Sequence, residues 1–419
     1  VNKSVISWAL YDWGNSAFAT TVMAGFFPLF FKQYWSAGSD VTASTFQLGL
    51  ANSLASLLII FIAPALGAIA DQGGARKGFL YACTLLGAGM TGGLYCVAQG
   101  EWLLAALLYV GGSSGFFASL IFYDALLVAV ATPERYDRVS ALGFALGYLG
   151  GGLLFALNVA MTLQPHWFGL ADAAAAVRVS FLTVALWWGL FTLPLAFWVP
   201  EPPGGGRRGL AAVADGFRQL RATFHEVRRL RHIGLFLLGY WCYIDAVDTI
   251  IRMAVDYGLA IGLPAESLIV ALLITQFVGF PAAVLFGRLG ERLGPRTGIY
   301  IAIVVYCLVV LWAARMETAA EFYLLAVVIG LVQGGIQSLS RSLYARLIPA
   351  DKSAEFFGFY NMLGKFAAVI GPILVGWVSL ASGEPRLSLL SLLVLFALGA
   401  WFLSRVNIEQ GTRMARELE

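Results

Sequence analysis

Seven ionisable residues stand inside long apolar runs of this chain: Asp12, Asp124, Asp245, Asp248, Arg252, Arg341 and Lys365. A charge at the centre of a bilayer costs at least ~2.5–3.5 kcal/mol, so an ionisable group kept there serves a function or a pairing. Four acids face three bases, and the set is nearly neutral if it meets in one cavity. At a rise of about 1.5 Å per residue, Asp12, Asp124, Arg341 and Lys365 lie roughly 10–14 Å from the same-side ends of their helices and can share one polar layer. Asp245 lies near the midplane. Asp248 and Arg252 are four residues apart and Asp245 and Arg252 seven, which places all three on one helix face. Asn361 and Lys365, also four apart, bring an amide and an ammonium together, a combination suited to a carboxylate or other anionic group. Asn15, Tyr123, Tyr344 and Tyr360 add hydrogen bonds at little desolvation cost. The expected substrate contacts are therefore Asn15, Tyr123, Arg341, Tyr344, Asn361 and Lys365. The expected proton-coupling set is Asp12, Asp124, Asp245, Asp248 and Arg252, with Asp12 and Asp124 as the foremost proton carriers. For each of these residues the alternative is a fixed ion pair that ties helices together.

The elements that must position these groups are membrane helices. Hydrophobic residues make up 59% of the 419, and charged residues only 12%, against about 25% in a soluble globular protein. Too few charges remain to cover a water-facing surface. Apolar runs long enough to cross ~30 Å of hydrocarbon recur along the whole chain, and they are continuous, unlike the alternating segments of a barrel. The runs predict twelve helices, over 5–31, 47–70, 78–98, 102–130, 140–163, 178–199, 233–257, 267–288, 298–315, 321–348, 356–381 and 387–405. The fold class is an all-α integral membrane protein in two six-helix bundles. Residues 1–199 form the first bundle, 200–232 a cytoplasmic linker and 233–419 the second bundle. The linker opens on Pro-Glu-Pro-Pro-Gly-Gly-Gly and turns basic, and its second part is expected to lie as a helix on the membrane surface.

Lysine and arginine set the orientation. With the N-terminus inside, 20 of the 27 basic residues fall on the cytoplasmic side, and only Lys32, Arg178, Arg315 and Arg386 fall outside. Both termini are thus expected in the cytoplasm, and the chain in a bacterial inner (plasma) membrane. The N-terminal run lacks a small-residue cleavage site and reads as a first membrane helix. Asn2-Lys3-Ser4 matches a glycosylation sequon by chance and falls on the cytoplasmic side.

The halves repeat. Gly67-Ala-Ile-Ala-Asp71-Gln-Gly-Gly74-Ala-Arg76-Lys77 follows the second helix, and Gly287-Arg-Leu-Gly-Glu291-Arg-Leu-Gly294-Pro-Arg296 follows the eighth. Glycine, acid, glycine and arginine recur at one offset. Tyr11-Asp12-x-x-Asn15-Ser16 is echoed by Tyr243-x-Asp245-x-x-Asp248-Thr249. Two echoes in corresponding helices argue for an internal duplication, a common transporter plan with the site between the repeats. The loop acids and bases Asp71, Arg76, Lys77, Arg138, Glu291 and Arg296 are expected to gate, by ion pairs that form in one state and break in another. Gly143-x-x-x-Gly147-x-x-x-Gly151 reads as close helix packing, and Pro372 as a bend.

The Gly-x-x-x-Asp-x-x-Gly-x-Arg-Lys loop and its echo resemble the signature of the major facilitator superfamily. More narrowly, Trp8-Ala-Leu-Tyr-Asp12-Trp-Gly-Asn15-Ser, Ser140-Ala-Leu-Gly-Phe-Ala-Leu-Gly-Tyr148, Gln333-Gly-Gly-Ile-Gln337-Ser-Leu-Ser-Arg341-Ser and Ala354-Glu-Phe-Phe-Gly-Phe-Tyr360-Asn361-Met-Leu-Gly-Lys365 resemble its autophagy-related branch, the vacuole effluxers. The resemblance covers the whole chain. It implies secondary transport by alternating access, and the eukaryotic members export amino acids from the vacuole. Gln72 departs from the broader pattern, which usually carries Arg or Lys there.

Other chemistries find no support. Gly358…Gly364-Lys365-Phe366 is one residue too long for a phosphate loop and lacks its Ser/Thr. Cys83, Cys96, Cys242 and Cys307 lie in apolar segments without a CxxC pair, and His166, His225 and His232 lie in loops or at a helix edge. No metal, organic cofactor, nucleic acid or enzymatic activity is expected. The expected partners are a small-molecule substrate, a proton or other ion, and membrane lipids, around a monomer. The reading is a secondary carrier of a small polar organic solute, an amino acid or similar, coupled to protons. A channel or lipid-moving protein on the same fold and an intramembrane enzyme are the alternatives.

Overall fold

The computed structural model describes residues 2–38, 41–203, 214–216, 218–219, 221–222, 230–260, 264–316, 318–382 and 388–417. The chain is helical almost throughout these segments. Helix α1 (Lys3–Ala17) continues to Trp35 through wider π-helical turns over Phe18–Phe26 and Phe31–Trp35. Then follow α2 (Val41–Gly73), α3 (Arg76–Gly93), α4 (Trp102–Ala125), α5 (Tyr136–Leu163) and α6 (Ala173–Trp198). After the linker come α7 (Arg231–Ala260), α8 (Ala265–Leu293), α9 (Pro295–Ala313), α10 (Ala319–Leu347), α11 (Ser353–Ser382), α12 (Leu392–Ser404) and α13 (Ile408–Arg416).

Local chemistry sets the ends. Asp172 accepts from the Ala175 amide at 2.7 Å to start α6, and Thr318 and Glu321 make a reciprocal capping box at α10, satisfying amides that the first turn leaves orphaned. Gly294, at φ +82°, turns the chain from α8 into Pro295 at the start of α9.

Each of the twelve expected helices has a counterpart. Among the described residues, nine helices, α2 to α10, are long and apolar enough to cross a membrane, and ten are if the bent pair Leu389–Ser404 and Ile408–Arg416 is one span. Large apolar side chains such as Phe61, Leu85, Phe197 and Leu285 stand out from the helices. In water such contiguous exposure marks an interaction surface; here it is the face that meets lipid. The protein is an integral multi-pass membrane protein.

Within the first half, α1 packs on α5 and α6, and α3 on α4 and α6; within the second, α8 and α9 pack on α10, and α7 on α11 and α12. Between them, α5 meets α8 and α10, while α2 and α4 meet α11. The repeated glycines lie at these seams. A Cβ on Gly67 would come within 2.1 Å of the Ala354 carbonyl oxygen at the start of α11, and one on Gly287 within 2.5 Å of Ala141 Cβ on α5. Only glycine lets the backbones approach this closely.

Two expectations are corrected. The first helix does not stop at 31 but runs to Trp35 with changed pitch. A short amphipathic helix, α13, packs on α10 beyond the last expected one. In the described part of the linker, Gly216 is buried against Ile69 of α2. Arg207, Arg208, Arg228, Arg229 and Arg386 lie outside the described residues.

Candidate functional site

Arg341, on α10, is the hub of the buried charge layer. Its Nη1 donates to Asp124 Oδ1 of α4 at 2.9 Å, its Nε to Ser140 Oγ of α5 at 2.9 Å, and its Nη2 to the Ser140 carbonyl at 2.8 Å. The guanidinium also lies over the rings of Phe144, Trp8 and Tyr123, 4.3, 5.0 and 5.2 Å from their centroids. The side chains of the Arg341–Asp124 pair are only 3% and 8% exposed. A buried pair is tolerable only when its other polar atoms find partners, and here each guanidinium nitrogen and each carboxylate oxygen has one. Asn361 of α11 donates to the other Asp124 oxygen at 3.1 Å. Asp12 joins from α1, accepting from Ser16 at 3.0 Å and from the Tyr123 hydroxyl at 3.4 Å. One cluster thus links α1, α4 and α5 with α10 and α11.

Two further contacts close the same face, the one that carries both chain ends. Asp71 accepts from Arg76 Nε at 2.6 Å and from the Ala354 and Glu355 amides at 3.2 and 2.8 Å, holding the α2–α3 turn on the N-terminus of α11. Carboxylates are favoured at that end of a helix. Arg76 also donates to the Asp351 carbonyl at 2.6 Å. On the other side, Asp137 of α5 takes Arg346 of α10 at 3.0 and 3.2 Å, together with Ser342.

Toward the opposite face the halves part around a cavity of about 1160 Å³. It is lined by the far ends of α1, α2 and α4 and by α7 to α11. Most of the lining is apolar. Asn52, Tyr109, Ser113, Gln276, Asp248 and Lys365 are among its polar residues. Tyr109 donates to Asn52 at 2.8 Å, and Lys365 Nζ stands 3.3 Å from the Phe117 ring centroid. One acid and one base therefore line the same volume, from α7 and α11.

The sequence model of vacuole effluxers like Atg22 matches residues 2–416. The chain belongs to the vacuole effluxer Atg22-like family. It is 37% identical over 99% of its length, and 97% of the relative's, to an uncharacterized MFS-type transporter, YxiO, of Bacillus subtilis (strain 168). It is 26% identical to autophagy-related protein 22 of Yarrowia lipolytica (strain CLIB 122 / E 150), over 67% of this chain and 52% of that one. Its fold matches the major facilitator transporter FucP in its outward conformation, with TM-score 0.72 and 14% identity over 97% of this chain and all of that one. These relatives are named as transporters and effluxers, not as enzymes.

The site residues expected from sequence separate within this effluxer-family fold. Asp12, Tyr123, Asp124, Arg341 and Asn361 are brought together, and Lys365, one turn from Asn361 on α11, lines the cavity. Arg341 bonds protein groups through all three of its guanidinium nitrogens in this state and is not among the cavity's lining residues. Tyr344 donates to the Phe356 carbonyl at 2.8 Å and stacks on Tyr360, a contact between α10 and α11. Asn15 is buried away from the cavity lining, and neither side-chain polar atom has a protein partner.

Asp245 and Asp248 also divide. Asp245 accepts from the Gly371 amide at 2.9 and 3.0 Å, joining α7 to α11, while Asp248 faces the cavity. The side chain of Arg252, and that of Pro372, lie outside the described residues. Among the gating residues, Lys77 reaches the Ala196 and Val199 carbonyls at 2.9 and 2.7 Å and caps the end of α6. Arg296 bonds the Val406 carbonyl, and Glu291 and Arg138 are exposed.

The neighbour of Arg138, Asp137, is the group that crosses the seam, with Arg346. Sequence reasoning names Arg138 and misses this pair, because helix phase decides which of two adjacent charges turns inward. Ser140, Trp8 and Phe144, which seat Arg341, carried no charge signal at all.

Proposed function

We propose that this effluxer-family chain is a secondary carrier for a small polar organic solute, an amino acid or similar, worked by alternating access and coupled to protons. One observation supports it most. A cavity large enough for a small solute lies between the two sets of helices toward one face, while three polar contacts, at Asp71, Asp124 and Asp137, join them at the other. A carrier needs this asymmetry, and a pore would need an open path. The moving bodies are residues 1–199 and 233–419, with twelve spans in all. The basic bias makes the closed face cytoplasmic, in a bacterial plasma membrane. This is then an outward-facing state.

Among the described residues at the cavity, Asp248 and Lys365 suit a zwitterion: Lys365 for a carboxylate, Asp248 for an ammonium. The apolar remainder of the wall accepts an aliphatic or aromatic body. Asp124 is the coupling group. A proton on it removes the charge that Arg341 grips and loosens the gate, with Asp12 as second acid of the cluster.

Counterflow in proteoliposomes tests the reading. Vesicles loaded with a pool of unlabelled amino acids should take up a labelled member of the pool, saturably and above protein-free vesicles. Flux that rises linearly without saturation would instead mean a pore.

A further inference from the structure

The gate has a covering element that neither half of the repeat supplies. Gln72 follows Asp71 in the last turn of α2, and its amide nitrogen donates to Gln219 of the linker. The Gln219 amide in turn donates to Glu355 Oε2, in the first turn of α11, at 2.5 Å. Glu355 is fully buried, and its own backbone amide donates to Asp71. One linker side chain therefore joins the same two elements that Asp71 joins, on the outer side of that contact.

A second observation is independent of these bonds. Gly216 lies against α2 so closely that a Cβ there would come within 2.8 Å of Ile69 Cγ1 and 3.0 Å of its backbone nitrogen and Cα. Arg218 pairs with Asp215 at 3.0 Å, three residues apart, consistent with the helical form of these linker residues. Gly216 and Gln219, also three apart, then share one face, the face turned to the seam.

We propose that linker residues 214–216 and 218–219 are a latch: they seat on the α2–α11 seam through Gly216 and Gln219 and must leave that seat whenever the seam opens. The geometry demands it. Gln219 bonds one residue on each side, and a single amide cannot follow both once Gln72 and Glu355 separate. The linker then does more than connect. It stabilises the closed state, and whatever engages the linker from the aqueous side shifts the balance between states.

The latch rests on the alternating-access reading, and one experiment separates their failures. Spin labels at Glu134 and Lys352 report the opening of the closed face in purified full-length protein by their distance distribution. Wild type should show a major short and a minor long distance. Gln219→Ala and Gln72→Ala should each raise the long-distance fraction several-fold. The double variant should exceed neither, because both remove one hydrogen-bond chain. Gly216→Val should act in the same direction through the packing. If Gln219→Ala does not yield folded protein, Gln219→Asn, which keeps the amide but shortens its reach, takes its place. Variants that match wild type, or effects of Gln72 and Gln219 that simply add, overturn the latch. A single wild-type distance under every condition overturns alternating access instead.

Discussion

At the scale of single residues, the proposed gate rests on the buried Arg341–Asp124 pair. Removing one partner of a buried, satisfied pair costs about 3–5 kcal/mol, because the other charge stays behind unpaired. Asp124→Asn should therefore destabilise the closed face and expose it to labelling, as measured by maleimide reactivity of a cysteine placed at Ser353, whose hydroxyl now bonds the Ala125 carbonyl. The same variant carries a permanently neutral side chain. It should lose accumulation driven by a pH step but keep exchange at equal pH, and retained accumulation would return Asp124 to a purely structural role. Arg341→Lys keeps the charge yet presents no planar fork. It cannot serve Asp124, the Ser140 hydroxyl and the Ser140 carbonyl together, so it should behave like Asp124→Asn in the labelling assay. The sequence made Asp12, Asp124 and Arg341 legible because charge in an apolar run is conspicuous. It could not separate Lys365 from them, since equal depth along a helix says nothing about which side of a closed seam a side chain occupies.

At the scale of elements, the proposed opening must part the α2–α11 seam and rearrange α5–α8, where the repeated glycines allow close approach. Gly67→Val should hold α2 off α11, because its Cβ alone would strike the Ala354 carbonyl. The expected result is folded protein with an enlarged open-face population, read by the same cysteine labelling. Gly287→Val should do likewise at α5, where Ala141 Cβ is the obstacle. If either variant labels like wild type, the seam is soft and the glycine incidental. The repeat itself was readable at constant offset, and its two copies do occupy equivalent seams. Their side chains have diverged: Asp71 reaches across to the start of α11 and Arg76 to the α10–α11 turn, while Arg296 turns to the Val406 carbonyl. Such divergence depends on neighbours far away in sequence, as does the π-helical pitch of α1, for which no local residue pattern gave warning.

At the scale of the molecule, the apolar composition and the basic bias fixed the class and suggested an orientation, whereas the cavity and the closed seam exist only in three dimensions. A reporter fused after Glu419 or inserted at 204–206 should read out on the cytoplasmic side, and an external signal from either would invert the assignment of faces. The measurement that reaches the central claim most directly pairs two distances in one protein, labels at Glu134 and Lys352 on the closed face and at Ser53 and Glu266 on the open face. Alternating access predicts that the two are reciprocal: when lowered pH or Asp124→Asn lengthens the first, the second shortens in the same proportion of molecules. Faces that open and close independently, or a first distance that lengthens while the second stays put, would contradict it.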